Sequence, residues 1–325
     1  MSKKALITGI AGQDGAYLSS HLQSLGYNVV GIARRNKDLS NLRRLKTNPR
    51  IIYADVTEAK NICEIIDSER PDEIYNLAAQ SHVGYSFRNP SLTMDVNYGG
   101  LVNIIEGVKK TCSKTKIYQA STSEMFGGSD KVLNEDSAFN PKSPYGISKV
   151  AAYWAAENAK AVGLFVANGI LFNHESPIRG GDFVTRKITK AVSSLQDEWV
   201  PLELGNLDAG RDWGFAGDYV KAMHKMMQHN EPDTFVVATK TVHTVRDLLY
   251  IALVSTGMEI ESKGVGLDEK WYADGKLAAK INPKFYRDNE VHNLIGDFSK
   301  AKELLGWTPE VNFEKLVKMM IEAEK

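Results

Sequence analysis

Across its first 120 residues the chain alternates short apolar runs with longer stretches in which apolar residues recur every three or four positions, and few folds accommodate that alternation. The runs fall at 5–8, 28–33, 50–55, 73–79 and 116–120. The stretches between them include a predicted helix over 58–70, ended by Pro71, and another over 95–110. Parallel neighbours in a sheet can be joined only by a crossover, and the crossovers lay helices on both faces. The pattern therefore predicts an α/β fold with a doubly wound parallel sheet.

The first run leads into Gly9-Ile10-Ala11-Gly12-Gln13-Asp14-Gly15 and then a helix with Leu18, Leu22 and Leu25 along one face, stopped at Gly26. Glycines between a first strand and a first helix let the backbone turn tightly and approach a pyrophosphate, whose charge meets the N–H groups of the helix start. The spacing is GxxGxxG rather than GxGxxG. The second run ends in Arg34-Arg35, where an NAD-binding chain presents a carboxylate to the ribose hydroxyls; two guanidinium groups suit a phosphate instead and predict NADP over NAD. The third ends in Asp55, an acceptor for an adenine amine, and the fourth in Ala78 and Ala79, small enough for a dinucleotide to lie against the strand end.

The fifth run stops abruptly in polar residues, Ser121-Thr122-Ser123-Glu124, as strands do at sites. Soon after, Ser143-Pro144-Tyr145-Gly146-Ile147-Ser148-Lys149 opens an alanine-rich helix, with Tyr145 and Lys149 at i and i+4 on one face. A tyrosine of ordinary pKa, about 10, is a poor base at neutral pH. Lowering it by ~3 units takes roughly 4 kcal/mol, which a neighbouring ammonium together with a cofactor cation can supply. Tyr145 is thereby a candidate proton acceptor.

Beyond a further run at 164–171 the alternation loosens. A helix is predicted over 185–195, a short extended piece at 201–205, a helix returning to the sheet over 215–227 and its last strand at 234–238. Thr244 with Asp247 reads as a helix cap and 263–288 as loop-rich. The tail reads as two amphipathic helices capped by Ser299 and Asn312. A Rossmann-type unit of 1–172, with returning segments at about 214–240 and 286–297, is thus expected beside a smaller, discontinuous C-terminal unit of 173–213, 241–285 and 298–325. The chain of 325 residues is long enough for both, and forty basic and forty acidic residues cancel, which argues against nucleic acid or an anionic membrane as partner. With no apolar run of membrane length and no signal-peptide core, a cytoplasmic protein is expected. Cys63 and Cys112 have no metal-ligand spacing to any histidine, and neither HExxH nor GxSxG occurs, so no metal site and no serine-hydrolase elbow is predicted.

Six strings carry a resemblance over essentially the whole chain: Thr8 to Gly15, Tyr118 to Glu124, Asn168 to Pro177, Phe183 to Ile188, Leu204 to Asp208 and Arg211 to Gly214. Together they resemble the extended short-chain dehydrogenase/reductases, and among them the GDP-mannose 4,6-dehydratases. The resemblance implies that NADP is held by Gly9, Gly12, Gln13, Asp14, Gly15, Arg34, Arg35, Asp55, Val56, Leu77, Ala78, Ala79, Gln80, Ser81, Tyr145, Lys149, His174 and Arg179. It implies a GDP-sugar substrate met by Asn173, Lys187, Arg211, Arg287 and Glu290. The roles it implies are that Tyr145, aided by Thr122, takes the C4 hydroxyl proton, Lys149 holds the ribose and favours the phenolate, and Glu124 removes the C5 proton and relays it to the departing C6 hydroxyl. Glu124 separates this reading from the family's epimerases, which generally carry a small or neutral residue there. A GDP-heptose dehydratase would keep every one of these residues, and a nucleotide-sugar epimerase or reductase is the further alternative. The segment from 36 to 49 looks shorter than in many relatives, which leaves homodimer and homotetramer both open.

Overall fold

Every residue of the N-terminal run after Lys4 is buried in β1 (Lys4–Thr8), because helices cover both faces of the sheet to which it belongs. The computed structural model describes residues 2–129, 131–195, 197–285 and 294–324. In chain order β1 is followed by α1 (Gln13–Ser24), β2 (Asn28–Ala33), α2 (Ser40–Arg44), β3 (Arg50–Tyr53), α3 (Ala59–Glu69), β4 (Glu73–Asn76), α4 (Val83–Arg88), α5 (Pro90–Met94), α6 (Gly100–Thr111), β5 (Lys116–Thr122), α7 (Pro144–Ala161) and β6 (Val166–Leu171). Then come β7 (His174–Glu175), α8 (Val184–Ser194), β8 (Leu202–Leu204), β9 (Gly210–Arg211), β10 (Gly214–Phe215), α9 (Ala216–Gln228), β11 (Thr234–Val237), β12 (His243–Thr244), α10 (Val245–Val254), β13 (Ile260–Lys263), β14 (Lys270–Ala273), β15 (Lys276–Ile281), α11 (Ser299–Leu305) and α12 (Phe313–Glu322).

Among the described residues the main sheet has seven strands in the order β11-β6-β5-β4-β1-β2-β3, all parallel. The order reverses beside β1, so the strand ends at β1 and β4 diverge and open a crevice there. On one face α3 and α6 pack through Ile62, Ile65 and Ile66 against Leu101, Ile104, Ile105 and Val108; on the other, α1 meets α9 through Leu18, Leu22, Met223 and Met226. Leu25, expected on the buried face of α1, follows the helix and is half exposed. A second core gathers Ile188 and Val192 of α8, Leu248 and Leu249 of α10, Trp271 of β14, Ala279 of β15 and Val317 of α12. The cleft lies between the two cores.

Three local expectations need correction. The helix predicted over 95–110 is reached through α5 and a π-helical turn, Asp95–Gly99, whose wider ring turns Asn97 into the interior; α4 precedes it. The stretch read as loop-rich holds most of an antiparallel meander, β13-β14-β15, beside which β8 pairs in parallel with β15. Its signal was Asp274-Gly275, both at positive φ between the paired Ala273 and Lys276, a two-residue hairpin turn hidden by flanks rich in lysine and alanine. Ser299 does not cap α11: its N–H and hydroxyl both donate to Asp297, at 3.0 and 2.6 Å. Ala301, Leu305 and Trp307 of this segment pack in the core of the main sheet. The Thr244–Asp247 capping box and the Asn312 cap are present as expected.

Candidate active site

The C-terminal ends of β1, β2, β4 and β5 open on a cleft of about 1040 Å³. Gly9 turns the chain out of β1 at φ +68, and a Cβ there would lie 2.8 Å from the Ala78 nitrogen; a Cβ on Gly15 would lie 2.5 Å from the Gly9 oxygen. These glycines bring the turn, the start of α1 and the end of β4 into backbone contact, closer than any side chain allows. Gly12, at the N-cap, offers no side chain to the first turn of α1, so that turn is left for an anion to cap. The cradle fits a dinucleotide pyrophosphate. Arg34 lines the cleft beyond β2, as does Lys37, which the sequence reading passed over although it stands three residues on. Arg35 does not line it: its guanidinium sits 5.7 Å from the Tyr53 ring centre. Asp55 lines the cleft, but its carboxylate already accepts from the Thr57 N–H and hydroxyl, at 3.0 and 2.8 Å. Val56 and the residues from Leu77 to Ser81 complete this wall.

The chemistry expected between 119 and 149 converges on the same cleft. β5 ends at Thr122, and a 3-10 turn, Ser123–Met125, presents Glu124. Ser143 caps α7 by accepting the Gly146 N–H at 3.0 Å, with Pro144 in the first turn. A Cβ on Gly146 would stand 2.8 Å from the Glu124 carbonyl oxygen, so glycine lets the first turn of α7 rest directly on the Glu124 backbone. This contact joins the two halves of the motif. Tyr145 and Lys149 are buried, and the Lys149 ammonium donates to the Ala120 carbonyl at 2.8 Å and lies 6.0 Å from the Tyr145 ring centre.

Burial dominates the electrostatics of this pair. It pushes the Tyr145 phenol up to about 12, with hydrogen bonding to Thr122 pulling the other way and the Glu124 carboxylate adding to the rise. It also pushes the Lys149 ammonium down to about 8, partly opposed by Asp14. The lowering expected from Lys149 together with a cofactor cation thus has to be made against this burial.

On the opposite wall stand Asn173, Lys187 and Arg211. Arg211 is placed by the pairing of β9 with β12 and donates to the Gly210 carbonyl at 2.8 Å. Asn173 Oδ1 is buried without a hydrogen-bond partner, an acceptor whose donor a ligand can supply. Arg179 pairs with Glu175 at 3.0 Å and its guanidinium lies 3.5 Å from the Phe183 ring centre. His174 lies 2.9 Å from Asp14. Arg287 and Glu290 lie outside the described residues. The sequence reading also missed His82, Ser121 and Phe183 on the cleft wall. It missed Asn97, whose side chain accepts the Gln80 N–H at 2.8 Å and donates to Ser148 at 2.9 Å, tying the end of β4 to α7. Only its unusual π turn marks it, and that has no local sequence signature.

Among the described residues no group of three or more His, Cys, Asp or Glu side chains could hold a metal ion, and no helix is long and apolar enough to cross a membrane. A sequence model of the family described as GDP-mannose 4,6 dehydratase matches residues 6–320. The chain belongs to that family. It is 46% identical to GDP-mannose 4,6 dehydratase 2 of Arabidopsis thaliana, over 99% of this chain and 87% of the relative. With GDP-mannose 4,6 dehydratase of Homo sapiens it shares 43% identity, over 98% of this chain and 91% of that one. The solved UDP-glucose 4-epimerase of Thermotoga maritima, crystallised with UDP-glucose, superposes with a TM-score of 0.85 at 25% identity over 98% of both chains. The Rossmann-like parallel sheet with a smaller C-terminal unit is therefore shared with nucleotide-sugar enzymes, and this member of the dehydratase family is an enzyme of that class.

Proposed function

We propose that the chain carries out the reaction its family is called after, converting GDP-mannose to GDP-4-keto-6-deoxymannose with loss of water, with NADP as resident cofactor and Thr122, Glu124, Tyr145 and Lys149 as the working side chains. The observation that carries this reading is the seating of α7 on the Glu124 backbone, which puts phenol, hydroxyl, carboxylate and ammonium on one wall beside the glycine cradle. Bound NADP supplies an acceptor for the hydride of sugar C4 and the source of the hydride returned to C6, so net redox is zero. Tyr145, as the phenolate that its hydrogen bond to Thr122 favours, takes the C4 hydroxyl proton and becomes the phenol. Lys149, at about 8, is largely charged at neutral pH and also favours the phenolate. The resulting C4 ketone acidifies the C5 proton, which Glu124 removes and passes to the departing C6 hydroxyl.

Arg34 and Lys37 at the ribose end of the cradle favour NADP over NAD. Asn173, Lys187 and Arg211 hold the GDP-sugar, with Arg287 and Glu290 assigned to it on resemblance alone. A homodimer or homotetramer is supported by the exposed Phe87, Leu92, Ile147 and Trp154 on neighbouring helices α4, α5 and α7. Turnover of GDP-mannose deuterated at C4 tests the chemistry. Deuterium is expected at C6 of the product, and untouched substrate or unlabelled product overturns the scheme.

A further inference from the structure

The pyrophosphate turn carries a carboxylate where it should be least welcome. Asp14 stands in the first turn of α1, where the helix dipole favours an anion but where the cofactor's own anion must also lie. Its partner is His174, from the strand after β6, 160 residues away in sequence. The ring nitrogens of His174 have different neighbours. Nδ1 lies 2.7 Å from the Phe172 carbonyl oxygen, which can only accept, so Nδ1 carries a hydrogen. Nε2 lies 2.9 Å from Asp14 Oδ2, likewise an acceptor when ionised, so Nε2 carries one as well. With Asp14 ionised, this geometry fits an imidazolium and a carboxylate. Gln13 knits it in: its amide donates at 3.1 Å both to Asp14 Oδ1 and to the His174 carbonyl, and its oxygen accepts from the Ser176 hydroxyl at 2.7 Å.

We propose that His174 is a fixed counter-charge for Asp14, cancelling its repulsion of the cofactor pyrophosphate, and that the pair, with Gln13 and Ser176, locks the cofactor turn to the strand bearing Asn173. This rests on the dinucleotide reading of the glycine turn. The charged groups facing His174 are Asp14 from α1 and Arg179 from the segment after β7, while Tyr219 of α9 stacks on the ring at 4.6 Å. Burial and Arg179 both disfavour the imidazolium, yet Asp14, with the Phe172 carbonyl, outweighs them and His174 sits above its ordinary 6.5; Asp14, despite burial, is held below 3.8 chiefly by His174.

The test is a double-mutant cycle read by NADP binding to the otherwise intact protein. His174→Gln leaves Asp14 unpaired beside the phosphates and weakens NADP by roughly tenfold or more. His174→Gln with Asp14→Asn removes the repelling charge as well and returns affinity to within about threefold of wild type. A double variant no tighter than His174→Gln overturns the proposal, since the histidine would then act as a direct ligand or through packing. Failure of the wild-type protein to bind either NADP or NAD would instead sink the cradle reading beneath it. Nitrogen-15 spectra of the cofactor-free protein give an independent readout: both His174 nitrogens are protonated at neutral pH, and in Asp14→Asn only one is. A neutral ring in the wild type overturns the pairing.

Discussion

Replacing Lys149 by Met removes a buried ammonium 6.0 Å from the centre of the Tyr145 ring. For a charge separation of about 6 Å and an effective dielectric of about 20, the interaction between an ammonium and a phenolate is worth about 2.8 kcal/mol, or about 2 pH units of phenol acidity. Tyr145 starts from about 12, so the loss falls on a group already hard to ionise, and kcat for GDP-mannose should drop about a hundredfold. The assay is turnover of cofactor-saturated enzyme between pH 6 and 10. Wild-type enzyme should lose rate above pH about 8, where Lys149 gives up its proton and its help to the phenolate. Lys149→Arg, which stays charged, should shift that alkaline limb upwards. A hundredfold loss in Lys149→Met whose pH profile still falls at the wild-type position would refute the reasoning, because the lysine would then be holding the ribose without acting on the phenol.

Glu124→Gln should reduce bound NADP on addition of GDP-mannose, visible near 340 nm, yet slow product formation by about a hundredfold or more; normal turnover removes the carboxylate from the mechanism. Gly15→Ala puts a methyl group 2.5 Å from the Gly9 oxygen and 2.6 Å from the Ile10 Cα, neither able to move aside, so a cost of about 1–3 kcal/mol in urea unfolding and a loss of NADP binding are expected. Equal stability and affinity would show the turn to be slack. Arg34→Ser should weaken NADP by about tenfold while sparing NAD, and Arg35→Ser should do neither, as measured by titration with both cofactors; equal losses would place both guanidinium groups at the phosphate. Lys149 is held near 8 against an ordinary 10.5, so the unfolded chain binds the extra proton between those values and stability should rise with pH across that window. Lys149→Met should lack this slope when unfolding is followed at pH 8 and 10.

Much of the scaffold was legible because its causes are local. The runs that became β1 to β6 are apolar since both faces of a parallel sheet are covered, and Tyr145 and Lys149 share a helix face by spacing alone. The meander of β13 to β15 was missed because alanines and lysines make a faint period-two pattern, although Asp274-Gly275 announced its turn. Arg35 was assigned to the cofactor beside Arg34, yet the chain leaves β2 in a turn closed by the Lys37 N–H on the Arg34 carbonyl at 3.0 Å, and of the two guanidinium groups only that of Arg34 lines the cleft.

The chain's local pattern determined the alternating fold, the glycine turn and the residue types available for proton transfer, because periodicity, turn chemistry and spacing act over a few residues. Only the tertiary structure decided that Gly146 seats α7 on Glu124, that Asn97 spans from β4 to α7 and that Asp14 finds His174. It also set the strength of desolvation at Tyr145, which raises the phenol before any cofactor charge is added. Such contacts depend on which crossover lies beside which, and desolvation depends on everything packed around a group; neither is written at any one position of the sequence.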